Sequence, residues 1–147
     1  DTLNLLTILE EPVEAVRRIL PWVVSSHIKD GGVIIDKEGM RTFPAPVGKG
    51  IIDINRIYTL LKSLDRDINL SIEDHGGDIY LPIYDPYFIS KFPDLTAQEF
   101  TQIVKLSQLT DDKLKAGEIS IAKRENWGEI CEDRLAANIA ALKNIIA

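Results

Sequence analysis

Apolar residues recur at helical spacing in four segments of the chain. The first begins at Pro12, the second after Asp53, the third after Thr96, and the last covers 129–146. Proline suits a first helical turn, Asp53 suits an N-cap, and Thr96 with Glu99 makes a capping box. These signals predict four amphipathic helices. In the last helix the predicted apolar face consists of Ile130, Leu135, Ile139, Leu142 and Ile146.

Two short extended segments, 22–29 and 68–73, lie between these helices. The first lacks strict alternation of apolar and polar residues, which is typical of a parallel strand covered on both faces. Segment 3–9 is a candidate third strand, and we expect irregular loops at 30–50 and 78–95. The order of helices and strands favours an α/β fold with a parallel sheet.

Composition limits the classes of function. The chain has 147 residues, 45% apolar and 27% charged, so we expect one globular domain with a core. The net charge of −6 argues against nucleic-acid binding, which normally needs a basic face. No apolar run approaches the ~18 residues of a membrane span. The single cysteine, Cys131, cannot form an internal disulfide, which indicates a reduced, cytoplasmic protein.

Side chains that bind metals stand at the ends of the two predicted strands. His27 and Lys29 end the first strand, and Glu73 and His75 end the second. Each pair is spaced i, i+2, so its members point to the same face of the sheet. Imidazole and carboxylate groups suit Mn²⁺, Zn²⁺, Co²⁺ or Mg²⁺, although a histidine hydrogen-bonded in the core is the commoner arrangement. Asp74 is expected to face away and to be solvated.

Four short sequences follow one another in an order that carries a resemblance. They are Asp1-Thr2-Leu3-Asn4, His27-Ile28-Lys29-Asp30, Val47-Gly48-Lys49-Gly50 with Asp53, and Ser71-Ile72-Glu73. The set resembles the second half of the sugar phosphate isomerase/epimerase family, the xylose-isomerase-like barrels. The resemblance implies a (β/α)8 TIM barrel, in which residues 1–147 would be the C-terminal half of a single domain, about strands 5–8 with their helices. A complete barrel typically takes ~250 residues.

The resemblance also implies a site. Asp1, His27 and Glu73 would be three of the four protein ligands of one divalent metal ion (Mn, Mg, Co or Zn), and a glutamate preceding residue 1 would be the fourth. Glu73 would also be a catalytic acid/base carboxylate, and Asn4 and Lys29 would contact the substrate. The metal would polarise a carbonyl and a neighbouring hydroxyl, which eases proton removal beside the carbonyl.

The implied activity is that of a metal-dependent isomerase or epimerase acting on a sugar or sugar phosphate, with the isolated fragment inactive. A dehydratase or lyase on the same barrel is one alternative, because that reaction also begins with proton removal beside a carbonyl. A truncated, non-catalytic barrel fragment kept for interaction is the other. We expect a small-molecule substrate, no nucleic acid and no membrane partner, and homo-oligomerisation stays open.

Overall fold

The computed structural model describes residues 1–147 as an α/β fold with five α-helices and two small sheets. The strands are β1 Ser25–Ile28, β2 Asp30–Ile35, β3 Met40–Ala45, β4 Asn69–Ile72 and β5 Ile79–Leu81. The helices are α1 Pro12–Ile19, α2 Ile54–Lys62, α3 Pro86–Ile89, α4 Ala97–Lys115 and α5 Trp127–Ile146. Short 3₁₀ helices cover Asn4–Ile8, Leu20–Trp22 and Arg124–Asn126. None of the helices combines the length and the apolar character that a membrane span requires.

The first sheet is a parallel pair of β1 and β4, in which Ser25 lies opposite Asn69 and His27 opposite Ser71. These four residues are exposed and share one face of the sheet, whereas Ile28 on the other face is buried in the core. The expectation that this strand is covered on both faces is wrong. Its polar side chains alternate with inward-facing ones, so the pair presents an open polar face.

The second sheet is antiparallel, with the order β2-β3-β5. Helix α4 covers the outer edge of β2, and its Thr110 and Ser107 hydroxyls accept hydrogen bonds from the Val33 and Ile35 N–H groups at 3.1 and 2.9 Å. These bonds satisfy backbone groups that an edge strand leaves unpaired. The expected loop at 30–50 is therefore wrong over most of its length, because a hairpin occupies it.

Two glycines that suggested a loop are packing residues of this hairpin. A Cβ atom at Gly31 would lie 2.1 Å from the Phe43 carbonyl oxygen, and one at Gly32 would lie 2.7 Å from the Thr110 Cγ2 atom. Glycine in a strand often marks such a close approach of a neighbouring chain segment. Only the contacts with β3 and α4 distinguish this use of glycine from a turn.

The expected half of a TIM barrel, strands 5–8, is wrong. A barrel of that kind needs strands that pair in parallel one after another, whereas only β1 and β4 pair in parallel here and the other three strands are antiparallel. Segment 3–9 is not a strand either. The Asp1 carboxylate accepts hydrogen bonds from the Leu3 and Asn4 N–H groups and starts a 3₁₀ helix there. The broader α/β class is confirmed.

Three predicted helix starts are confirmed. Helix α1 has Pro12 in its first turn, Asp53 caps α2 by accepting a 2.9 Å hydrogen bond from the Arg56 N–H, and Thr96 with Glu99 makes both bonds of the capping box of α4. The inward faces of these helices meet in one apolar cluster. It includes Val13, Val16, Ile54, Ile57, Leu61 and Ile103.

Helix α5 buries a different face from the one that the sequence predicts. The exposed members of its predicted apolar face are Leu135, Ile139 and Ile146. The buried residues of the helix are Leu142, which belongs to the predicted face, and Asn138, which does not. Asn138 turns inward because its amide accepts a 2.8 Å hydrogen bond from the Val47 N–H and donates one of the same length to the Asp74 carboxylate. The predicted face is therefore wrong for Leu135, Ile139 and Ile146, since polar partners elsewhere in the fold decide the orientation of the helix, and it is confirmed for Leu142.

Candidate metal centre

Three side chains that bind metals converge at the carboxyl ends of the parallel strands. One ligand atom each from Asp1, His27 and Glu73 lies within 4.8 Å of the other two. The backbone explains this convergence: the Thr2 N–H donates to the His27 carbonyl at 3.2 Å, and the Glu73 N–H donates to the Ile28 carbonyl at 3.3 Å. The chain start, β1 and the end of β4 therefore lie side by side.

The two oxygens of the Asp1 carboxylate have different surroundings. Oδ1 accepts hydrogen bonds from the Leu3 and Asn4 N–H groups at 3.0 and 3.1 Å, which fixes the orientation of the side chain. Oδ2 is buried and accepts no hydrogen bond, and the Lys29 Nζ atom lies 3.5 Å from it. A buried carboxylate oxygen without a hydrogen bond is costly unless a cation compensates it. Oδ2 is therefore suited to bind a cation.

His27 and Glu73 form the solvent-facing side of the cluster. The His27 Nδ1 atom lies against the Glu73 Oε2 atom, and the two side chains are 54% and 36% exposed. Burial would raise the pKa of Glu73, but the hydrogen bond and charge of Lys29, and then those of His27, lower that pKa below its ordinary value. Glu73 is therefore a carboxylate at neutral pH that solutes can reach.

Lys29 lies beneath the cluster, and its side chain is only 2% exposed. Its ammonium lies 3.2 Å from Glu73 Oε1 and 2.8 Å from His75 Nε2. The Thr2 hydroxyl fixes the backbone here, because it accepts from the Lys29 N–H at 2.9 Å and donates to the Lys29 carbonyl at 2.6 Å. The structure thus places this sequence-predicted substrate contact in a buried position between two carboxylates and an imidazole.

Asn4, the other sequence-predicted substrate contact, opens the 3₁₀ helix Asn4–Ile8 and is half-buried. Its N–H donates to Asp1 Oδ1, and its carbonyl accepts a 2.7 Å hydrogen bond from the Thr7 hydroxyl. Both contacts involve the backbone of Asn4. They place the residue directly beside the Asp1 carboxylate.

Sequence reasoning missed Asp30, which organises the loop 48–50 next to this region. The buried carboxylate accepts hydrogen bonds from four backbone N–H groups at 2.7–3.1 Å, those of Gly31, Gly48, Gly50 and Ile52. Burial raises the pKa of Asp30 to about 6, although each of the four bonds lowers it. An aspartate directly after a strand, with a Gly-Lys-Gly sequence downstream, is the signal that was available.

Asp74 was expected to be solvated, and that expectation is wrong. Its side chain is 2% exposed, and its Oδ2 atom lies 2.9 Å from the Arg134 Nε atom. The Asn138 amide donates to the same oxygen at 2.8 Å. Asp74 therefore ties the end of β4 to helix α5, while the adjacent Glu73 belongs to the cluster.

The cluster is open to solvent and separate from a large cavity of the fold. That cavity, of about 1100 Å³, lies between α1, the start of α2 and α4, and none of the three clustered residues lines it. Two carboxylates and an imidazole, with one carboxylate oxygen buried and free of hydrogen bonds, fit a divalent cation. No protein-family model, curated protein or solved structure matches the chain.

Proposed function

We propose that Asp1, His27 and Glu73 bind one divalent metal ion, and that the protein is a metal-dependent isomerase or epimerase of a sugar or sugar phosphate. The observation that carries the proposal is the convergence of the three ligand atoms within 4.8 Å. These residues come from sequence positions far apart, so local chain geometry does not explain their meeting. The mixed nitrogen and oxygen set suits Mn²⁺, Mg²⁺, Co²⁺ or Zn²⁺.

The surroundings of each ligand support this assignment. Asp1 is held by two backbone N–H groups, so binding an ion costs little further ordering of its side chain. His27 is half-exposed, so a small molecule can reach the ligands from the open face of β1 and β4. When bound, the metal would polarise a substrate carbonyl and lower the cost of removing a proton from the adjacent carbon.

Glu73 is the residue that fits the proton-transfer step. Its lowered pKa keeps it ionised at neutral pH, as a general base requires. The Lys29 ammonium, 3.2 Å from Oε1, orients the carboxylate and stabilises its charge. In this scheme for an isomerase, Glu73 accepts the proton from the carbon beside the carbonyl and returns it to the former carbonyl carbon, while the proton of the neighbouring hydroxyl passes to the former carbonyl oxygen. An epimerase would need a second acid on the opposite face of the substrate.

The metal and the chemistry are tested separately. First, the chain is loaded with Mn²⁺, and bound metal is counted after gel filtration. Second, a panel of ketoses, aldoses and their phosphates is incubated with the metal-loaded protein in D₂O, and NMR detects deuterium at the carbon beside the carbonyl. The inactivity expected for an isolated half-barrel does not apply, because the chain is not half of a barrel. We expect one Mn²⁺ per chain and deuterium exchange with at least one substrate. Loss of water from the substrate would instead identify a dehydratase.

Glu73→Gln removes the base and one ligand charge, and the exposed Glu132→Gln is the matched control. We expect Glu73→Gln to lower the exchange rate by at least about 100-fold, the lower end for a general base. Glu132→Gln should leave it unchanged. Exchange by Glu73→Gln at the wild-type rate would refute the role of Glu73, and wild-type protein without stoichiometric Mn²⁺ would refute the metal centre.

A further inference from the structure

The ammonium of Lys29 occupies an unusual position for a lysine, since buried lysines need partners for their charge. Three groups surround the Nζ atom: it is hydrogen-bonded to His75 Nε2 at 2.8 Å and to Glu73 Oε1 at 3.2 Å, and Asp1 Oδ2 lies 3.5 Å away as an ion-pair partner without a hydrogen bond. Two of the three groups belong to the residues assigned to the metal.

His75 is the neutral member of this shell. Its Nδ1 atom lies 3.1 Å from the Gly76 carbonyl oxygen, which can only accept, so Nδ1 carries the ring hydrogen. The Lys29 ammonium can only donate, so the Nε2 atom 2.8 Å from it accepts and carries no hydrogen. His75 therefore gives the ammonium a third partner without adding a charge.

The charges of the cluster determine how it receives a cation. The side chains of Asp1 and Glu73 contribute two negative charges and that of Lys29 one positive charge, which leaves a side-chain charge of −1 for the ion to neutralise. Without the lysine charge the ion would meet a side-chain charge of −2. The α-amino group of Asp1 also lies near Glu73 and Lys29, and burial lowers its pKa, which favours its neutral form. The ammonium and a divalent ion compete for the same carboxylates, since Asp1 Oδ2 and Glu73 both face Lys29.

We propose that Lys29 is a positioning residue whose ammonium is the resident cation of the site, holding Asp1 and Glu73 in place and limiting how tightly a divalent ion binds. The inference rests on the proposed metal centre and adds a regulator of its affinity. A lysine that only supports the fold would have the opposite effect, because its loss would disorder the ligands and weaken binding. The direction of the change in affinity therefore separates the two roles.

The test is a titration with Co²⁺ at pH 7 and fixed ionic strength, followed by visible absorption of the bound ion. Lys29→Met removes the charge and keeps most of the side-chain volume. Lys37→Met, at an exposed position, makes the same change in net charge away from the cluster. We expect Lys29→Met to bind Co²⁺ at least about tenfold more tightly, from the Coulomb energy of a unit charge near a divalent ion even at water-like dielectric. Lys37→Met should stay within about twofold of wild type.

Equal or weaker Co²⁺ binding by Lys29→Met would overturn the proposal. The test of Lys29 can be separated from the test of the metal centre. Co²⁺ binding by wild type tests the metal centre, and the change in affinity in Lys29→Met tests the role of Lys29. If wild type binds no Co²⁺ and Lys29→Met does, the native metal centre is refuted and the role of Lys29 stands. If neither binds, both are refuted.

A measurement on the unaltered protein decides the case in which Lys29→Met does not fold. The chain has two histidines, His27 and His75, so their ring ¹⁵N signals can be assigned by His27→Gln. We expect the His75 ring to carry hydrogen on Nδ1 and none on Nε2 at pH 7. Hydrogen on Nε2 would overturn the proposal, because that nitrogen then cannot accept from the Lys29 ammonium.

Discussion

The carboxylate of Asp30 is buried beneath the loop 48–50, and we predict that its ionisation destabilises the native state as pH rises. Burial raises its pKa from 3.8 to about 6, whereas four backbone N–H donors act in the opposite direction. Two of these donors, from Gly48 and Gly50, shape the loop. The balance between desolvation and hydrogen bonding therefore determines how the free energy of unfolding changes with pH.

The size and the sign follow from linkage between protonation and folding. Raising a pKa from 3.8 to about 6 corresponds to roughly 3 kcal/mol. Because the folded-state pKa of Asp30 is the higher one, its favourable contribution to stability is complete below about pH 3.8 and is lost as pH rises to about 6. Glu73 behaves oppositely, since its pKa is lowered: its contribution is complete above its ordinary value of 4.5 and is lost in more acidic solution.

The assay is urea unfolding of wild type and Asp30→Asn at several values between pH 3.5 and 7, with EDTA present and circular dichroism as the signal. The variant removes the titration of Asp30 and keeps that of Glu73, so the difference between the two free energies of unfolding isolates Asp30. We expect the wild type to lose about 3 kcal/mol relative to the variant over this range. A constant difference would mean that the four N–H donors balance burial, and a difference that grows in favour of wild type as pH rises would mean that they outweigh it. Either result would refute the reasoning.

Two further predictions concern the packing around the site. Gly50→Ala should lower the free energy of unfolding by about 2 kcal/mol or more, because its Cβ would lie 2.1 Å from Asp30 Oδ1. Gly128→Ala is the control: its Cβ would meet open space on α5, so this variant should be more stable by up to about 1 kcal/mol. Equal melting temperatures for these two variants would contradict the packing argument. Asn138→Leu should cost about 2–4 kcal/mol in chemical unfolding, since the Val47 N–H and the Asp74 carboxylate both lose a partner, and an unchanged midpoint would contradict it.

The sequence was sufficient for helices whose signals are local. Asp53 and the pair Thr96 and Glu99 bind backbone groups within three residues, so their roles can be read without knowledge of the fold. The buried face of helix α5 was predicted incorrectly because Asn138 is buried by hydrogen bonds to Val47 and Asp74, which are distant in sequence. A periodicity of apolar residues contains no information about such distant hydrogen bonds.

The same distinction applies to the candidate site. The i, i+2 spacing of His27 with Lys29 indicated polar groups at a strand end, and the structure places both beside Glu73. Spacing did not reveal that the Lys29 side chain is buried or that His75 completes its shell. The order of the short sequences suggested a barrel, but the residues between them form an antiparallel hairpin instead.

The sequence by itself determined the α/β class, the starts of the main helices and the kinds of side chain at the strand ends, because these depend on periodicity and on contacts a few residues apart. The tertiary structure alone decided the two-sheet topology, the burial of Asp30, Asp74 and Lys29, and the meeting of Asp1, His27 and Glu73. The physical reason is that the free energy of a buried charge depends on which distant groups surround it. Those neighbours exist only once the chain has folded.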